Sequence, residues 1–281
     1  PRLVFAHASG FGLSGPSADQ TAMDITVQAH MGSMSVTGHP GELPVKAGVP
    51  FVDFLGGSHL YGAIVTALFD VQRTGRGRMV ETSMAEAAYH TLSTNMLSWH
   101  QSGSTQRTGN KHAALGMAPY DLYECQDGHI ALIAVTNRHW RSVLSVIGRE
   151  DLIGDSRYKE NSDRALHMGE VDELVESWTK RHSREEANRL LSDAGVPVAI
   201  VREVKEVVAD KHLAERGFIE WLEHEKLGSI PVPHSPIRWT GSSLRPLELF
   251  HDLGADNGKV FGEMLGLSEE QLQDLKRREI I

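Results

Sequence analysis

The chain has 281 residues, 40% hydrophobic and 23% charged, with a formal net charge of −9. That is an ordinary soluble composition, long enough for one large domain or two smaller ones, and its acidic balance excludes a non-specific nucleic-acid binder, which carries a basic face. The single Cys125 excludes an internal disulfide and a Cys-rich metal site; a reducing, cytoplasmic setting is expected, and no apolar run reaches the roughly 18 residues that suggest a membrane span.

In chain order, Leu3 to Ala8 reads as a short buried strand. The loop after it, Gly10-x-Gly12-x-x-Gly15, has the spacing of a dinucleotide fingerprint. Pro16 follows it directly, however, and no acidic residue closes a second strand about twenty positions on, so that reading is set aside. Met23, Val27, Met31 and Met34 mark one helix face, and residues 36 to 49 form a loop rich in glycine and proline. A helix follows Gly57, with Leu60, Tyr61, Ile64, Val65, Leu68 and Phe69 on one face, and it ends near Arg73–Arg78. Met79 to Thr82 is a strand, and Ser83-x-x-Glu86 is a capping box opening a helix to about Trp99. The polar stretch 101–118 marks a boundary. Beyond it lie a hairpin around Gln126-Asp127-Gly128, helices over 137–147 and 171–182, and a third helix capped by Ser183-x-x-Glu186. A strand at 196–201, a helix from Val204, proline-interrupted β structure over 219–239 and a last helix opened by Ser268-x-x-Gln271 complete the chain.

The segment Val49-Pro50-Phe51-Val52-Asp53-Phe54-Leu55-Gly56-Gly57 sets one carboxylate in an apolar run just ahead of the predicted helix. The positive end of a helix holds an acid in its ionised form, the apolar neighbours withdraw it from water, and two glycines let a ligand approach the backbone. An ionised, partly desolvated, approachable carboxylate suits a nucleophile. The alternative is that Asp53 only caps the helix, a role in which aspartate is common.

Several pieces then read together: Pro1-Arg2-Leu3-Val4, Ser9-Gly10-Phe11-Gly12, Asp24-Ile25, Gln28-Ala29, Gly48-Val49-Pro50-x-x-Asp53, Arg73-Thr74-Gly75-Arg76-Gly77-Arg78, Ser83-Met84, Arg107-x-Gly109-Asn110-x-His112 and Asp127-Gly128. In order and spacing they resemble the family III CoA transferases (CaiB/BaiF, formyl-CoA transferase-like) over essentially the whole chain. The resemblance implies an α/β fold. Its large Rossmann-like domain is built from both ends of the chain, with a small α+β domain inserted, and two subunits interlock as a homodimer. The expected divisions are 1–105 for the large domain, 106–205 for the small domain and 206–281 for the return to the large one. The abrupt start matches a family member lacking its N-terminal segment.

The resemblance also implies an acyl-CoA:carboxylate CoA-transferase with Asp53 as catalytic residue, acting through an aspartyl mixed anhydride. A coenzyme A thioester and a small carboxylic acid are its substrates, with no permanently bound cofactor, no metal, and neither nucleic acid nor membrane as partner. Met23 stands where formyl-CoA transferase has a tyrosine near the substrate. Met84 stands at the family's methionine near the CoA or acyl group, and Gly109, Asn110 and His112 lie on a loop that closes over the site. The N–H groups near Gly56 and Gly57 are the local candidates to meet an oxyanion. Arg73, Arg76 and Arg78 are candidates for CoA phosphates, and Lys46 or Arg107 for a second carboxylate. Two rivals remain. A racemase of the α-methylacyl-CoA type needs an acid–base His where Met23 stands, and a thioether exchanges no proton at neutral pH. The other is a non-catalytic CoA-binding homologue.

Overall fold

A computed structural model describes residues 2–281, so Pro1 of the opening motif lies outside the described residues. They form two units, one up to Val201 and one from Arg202 to Ile281. In the first unit, β1 (Val4–Ser9) is followed by α1 (Asp24–His30), α2 (Ser33–Val36) and the 24-residue α3 (Phe51–Thr74), and then by β2 (Arg78–Ser83). β1 and β2 pair in parallel, Val4 opposite Arg78 and Ser9 opposite Ser83, so the chain between them must cross over, as parallel strands require. The close entry into β2 depends on Gly77: a Cβ there would stand 2.2 Å from the Leu3 carbonyl oxygen. β1 is half-buried rather than buried, with Phe5 exposed. Among the described residues its sheet has only two strands, so much of its surface stays uncovered.

The methionine-marked helix is broken at Gly32, whose φ of +82° ends the α1 turn and starts α2. α3 begins at Phe51, several residues before the Gly57 boundary that the periodicity suggests, and ends at Gly75 in the left-handed region. By length and composition alone α3 is apolar enough to cross a membrane, which corrects the expectation that no such segment exists. Ser83 caps α4 (Met84–Tyr89) by accepting the Glu86 N–H, and α5 (Ser93–Ser102) follows after a single 3₁₀ turn. Val27, Val52, Ala85 and Ala88 form a small buried cluster, with Phe11, Met31, Phe51 and Met84 packed on it.

A separate and larger core begins after the linker. β3 (Tyr120–Cys125), β4 (Gly128–Ile133) and β5 (Val198–Ile200) form an antiparallel sheet. α6 (Asn137–Val146), α7 (Asn161–Leu166), α8 (Met168–Thr179) and α9 (Arg184–Asp193) complete this part. Tyr123, Ile130, Val143, Leu144, Val171, Val175 and Leu191 fill the core between sheet and helices. Arg164 lies fully buried inside it. Its Nε donates to the Ala118 carbonyl at 2.9 Å and its Nη1 to Asn137 Oδ1 and the Tyr158 carbonyl, and its guanidinium faces the Trp140 ring. Burial lowers its pKa, and these acceptors hold the chain entering β3.

The second unit holds α10 (Val204–Val208), α11 (Lys211–Glu215), a hairpin of β6 (Ile219–His224) and β7 (Gly228–Pro233), a π-helical turn over Gly258–Met264, and α12 (Glu269–Arg277). Pro231 and Pro233 donate no ladder hydrogen bond, which a two-stranded edge tolerates.

Because Leu144 is wholly enclosed in the larger core, Leu144→Ala removes buried methyl groups and leaves a cavity. The expected loss is about 2–5 kcal/mol of unfolding free energy, read by urea denaturation.

Candidate active site

Asp53 sits in the first turn of α3, not ahead of it. The four N–H groups at the start of a helix lack intrahelical acceptors, and here they are shared out unevenly. Phe51 N–H donates to the Val49 carbonyl at 2.9 Å and Phe54 N–H to the Pro50 carbonyl at 3.4 Å. Val52 N–H is taken by Asp24 Oδ1 of α1, at 3.0 Å. Among the described residues the Asp53 N–H has no acceptor, and its carboxylate makes no hydrogen bond or ion pair. The helix N-cap is Pro50, which offers no side-chain acceptor. Asp53 is therefore no cap: Asp24 caps α3 from another helix. Asp53 is also exposed, with Phe54 beside it 72% exposed. This corrects the expectation of a desolvated carboxylate, because the apolar neighbours in sequence point along different sides of a helix.

Asp24 is itself held. Its Oδ2 accepts from Gln28 Nε2 at 2.5 Å, and Gln28 Oε1 accepts the Ala47 N–H at 2.9 Å. Gln28 is 1% exposed. These two residues fix both the loop before α3 and its first turn. The sequence displays them only as motif members, since no local pattern links position 24 to position 52.

Gly56 and Gly57 lie inside α3, so their N–H groups are engaged in the i→i−4 ladder and are not the oxyanion donors expected of a loop. Gly56 instead gives close packing: a Cβ would stand 3.2 Å from Met84 Cγ. Met84 opens α4 and packs on the buried cluster around Val52, and Met23, 73% exposed, precedes α1. The structure thus gathers Gly56 and Met84 on the α3–α4 packing and places Met23 immediately before Asp24.

Gly109, Asn110 and His112 lie elsewhere, on the strap between the two cores. Arg107 donates to the carbonyls of Ser35, His39 and Glu42, and Gly109 N–H donates to the Gly38 carbonyl at 2.9 Å. Gly109 has φ +63°, and a Cβ there would meet His39 Nδ1 at 2.8 Å. At the other end Lys111 pairs with Asp121 at 2.8 Å and with Asp172, which also accepts from the Tyr123 hydroxyl at 2.7 Å. Burial opposes the charge on Lys111, but the hydrogen bonds to Asp121 and Asp172 outweigh it and its pKa rises. Burial first, then the Asp172 charge, pushes the Tyr123 phenol up as well. His112 meets Tyr120 edge-on and accepts the Ala114 N–H. Among the described residues no hydrogen bond joins this strap to the Asp53 turn. A cavity of about 330 Å³ lies along it, lined by His39, Arg107, Gly109, Asn110 and Lys111, and Asp53 does not line it.

Of the other basic candidates, Arg76 is exposed and, among the described residues, only its backbone N–H is bonded, to Thr74 Oγ1, while the rest have partners. Arg78 pairs with Asp70 at 2.6 Å, Arg73 faces the Phe69 ring, and Lys46 donates to the Ala47 carbonyl. Arg107, holding backbone carbonyls, is likewise not free to meet a second carboxylate. Among the described residues no three His, Cys, Asp or Glu side chains gather as a metal site. Cys125 is buried, and burial with nearby Asp127 raises its thiol pKa, which removes it as a nucleophile.

The chain belongs to CoA-transferase family III, whose model matches residues 1–257. It is 28% identical over 265 residues to the succinate–glutarate CoA-transferase of Agrobacterium fabrum, covering 94% of this chain and 66% of that protein. It is 32% identical over 246 residues to the acetyl-CoA:oxalate CoA-transferase of Acetobacter aceti, covering 86% of this chain and 61% of that one. Among solved structures, a CAIB/BAIF family protein from Brucella suis matches with a TM-score of 0.77 at 27% identity, covering 94% of this chain and 68% of that one. The chain spans about two thirds of the length of the curated relatives it matches.

Lys111→Met strands two half-buried carboxylates and is expected to lower stability by roughly 1–3 kcal/mol at neutral pH. A raised folded-state pKa means that the clamp contributes fully below the ordinary lysine value of 10.5 and is lost as pH rises through the raised value. Urea denaturation of both proteins should therefore show the gap closing in strongly alkaline buffer.

Proposed function

We propose that this protein transfers coenzyme A from an acyl-CoA to a small carboxylic acid, with Asp53 as the nucleophile. The observation that carries the reading is the unengaged Asp53 carboxylate at the positive end of α3, capped by Asp24 in its place. Family membership supports it, as do the activities named for the two relatives, one acting between succinate and glutarate and one between acetyl-CoA and oxalate.

In this reading an Asp53 carboxylate oxygen attacks the thioester carbon. The C–S bond breaks, the thiolate leaves with its electron pair, and a mixed anhydride joins the acyl group to Asp53. The acceptor carboxylate then attacks the Asp53 carbonyl carbon and displaces the donor acid, which carries away one former Asp53 oxygen. A second anhydride joins Asp53 to the acceptor. The thiolate attacks the acceptor's acyl carbon, giving the new thioester and regenerating the aspartate. Each attack builds an oxyanion. The first-turn N–H without an acceptor, that of Asp53 itself, is the local donor available to it. Met23, exposed beside Asp24, and Met84, against Gly56, supply apolar surface near the turn and no proton-transfer group.

The homodimer, the expected domain divisions and a cytoplasmic setting belong to the same reading. The exposed apolar row Phe54, Tyr61, Leu68 and Phe69 on α3 supports a covering subunit.

Incubating the full chain with an acyl-CoA and trapping with borohydride or hydroxylamine should place an adduct on Asp53, and Asp53→Ala should lower exchange by at least ~10³-fold while acyl-CoA binding is largely kept. Deuterium exchange at the α-carbon without an adduct would instead indicate a racemase. Undiminished turnover in Asp53→Ala would sink the reading.

A further inference from the structure

The hydrogen-bond relay beneath Asp53 has a fixed polarity. Both of its ends are backbone donors, Ala47 N–H to Gln28 Oε1 at 2.9 Å and Val52 N–H to Asp24 Oδ1 at 3.0 Å. Between them Gln28 Nε2 donates to Asp24 Oδ2. A chain with a donor at each end needs one member that only accepts. An ionised carboxylate is such a member, and a carboxamide, which both donates and accepts, is not. Gln28 is 1% exposed and Val52 wholly buried, with Asp24 and Ala47 half-buried, so a mismatch along the relay is relieved by water only in part.

We propose that Asp24 and Gln28 are positioning residues for Asp53. The ionised Asp24 serves as a cap supplied from α1, and Gln28 orients it. Together they fix the 47–52 turn and leave the carboxylate and the N–H of Asp53 unbonded for the acyl group. This rests on the reading of Asp53 as the nucleophile. The polarity argument makes the roles separable from simple packing. With Asp24→Asn every rotation of the two amides leaves one donor facing another, at Val52, between the side chains or at Ala47. With Gln28→Glu two carboxylates meet. Combining Asp24→Asn with Gln28→Glu moves the acceptor-only member one step along the chain. The asparagine oxygen then accepts the Val52 N–H, its amide donates to the new carboxylate, and that carboxylate accepts the Ala47 N–H. Volume and total charge are unchanged.

The test uses the full chain of wild type, both single variants and the double variant. It measures kcat, the KM for acyl-CoA, and the rate at which the activated Asp53 carbonyl becomes trappable by hydroxylamine as a hydroxamate, each per folded protein as judged by thermal melting. Each single variant is expected to lower kcat and the acylation rate by ~10-fold or more with KM little changed. The double variant is expected to return to within about threefold of wild type, as the restored donor–acceptor count requires. Single variants that acylate Asp53 at the wild-type rate overturn the proposal, as does a double variant no faster than the slower single one. Should a single variant fail to fold, the double variant decides by folding and acylating or by failing to. If wild type itself forms no adduct at Asp53, the nucleophile reading falls and takes this proposal with it. An adduct on wild type with indifferent variants overturns the relay alone.

Discussion

A helix begins with more donors than acceptors, and the source of the missing acceptor decides what an aspartate in its first turn can do. Had α3 been capped by its own aspartate, that carboxylate would be tied to the backbone and weakened as a nucleophile. Here the acceptor arrives from α1, 28 residues upstream. Asp24 bears the capping role, and Asp53 keeps its lone pairs. Both carboxylates share the positive end of one helix, where a negative charge gains roughly 0.3–1 kcal/mol, but only one is engaged. The division of labour depends on Gln28, which is buried and passes the constraint on to the loop at Ala47.

The strap between the two cores obeys a different constraint. Arg107 grips a set of backbone carbonyls on the α2 side, and Lys111 is clamped by two aspartates on the β3–α8 side. Between these anchors lie Thr108, Gly109 and Asn110, with Gly109 pressed against His39 in a conformation suited to glycine. Guanidinium and ammonium differ usefully here. The planar fork satisfies diverging carbonyls, while the compact ammonium fits between two carboxylates. Gly109 and Asn110, expected to cover the active site, are thus short links between fixed points, and His112 follows the second of them.

Much of this architecture was legible locally. Ser83, Ser183 and Ser268 open their helices by accepting the N–H groups of Glu86, Glu186 and Gln271, with the full reciprocal box formed at Ser268, because a cap is contained in four residues. The Gln126-Asp127-Gly128 turn joins the expected strands for the same reason. What failed to show was non-local. α3 starts before the apolar periodicity from Leu60 reveals it, because the acceptor from Asp24 and the packing of Gly56 on Met84 hold the two glycines in the helix. Asp53 stands out in the sequence but its exposure does not, since an apolar neighbourhood in sequence is not one in space once the helix turns it. The Lys111–Asp172 pair spans 61 positions and leaves no periodic trace.

Exposure of Asp53 bears on the chemistry proposed for it. An acyl anhydride open to solvent is hydrolysed, and an enzyme that transfers rather than hydrolyses must exclude water while the thiolate waits. The described residues do not supply that wall. Asp53 lies at the surface beside an exposed Phe54, and the row through Tyr61 and Phe69 continues the apolar face away from it. In the proposed reading the cover comes from a second subunit laid along this face. Burying it would do two things together: add hydrophobic contact along α3 and raise the reactivity of a carboxylate already freed from capping. Assembly and catalysis would then be coupled through one helix, whose outer face meets the partner and whose first turn carries the nucleophile.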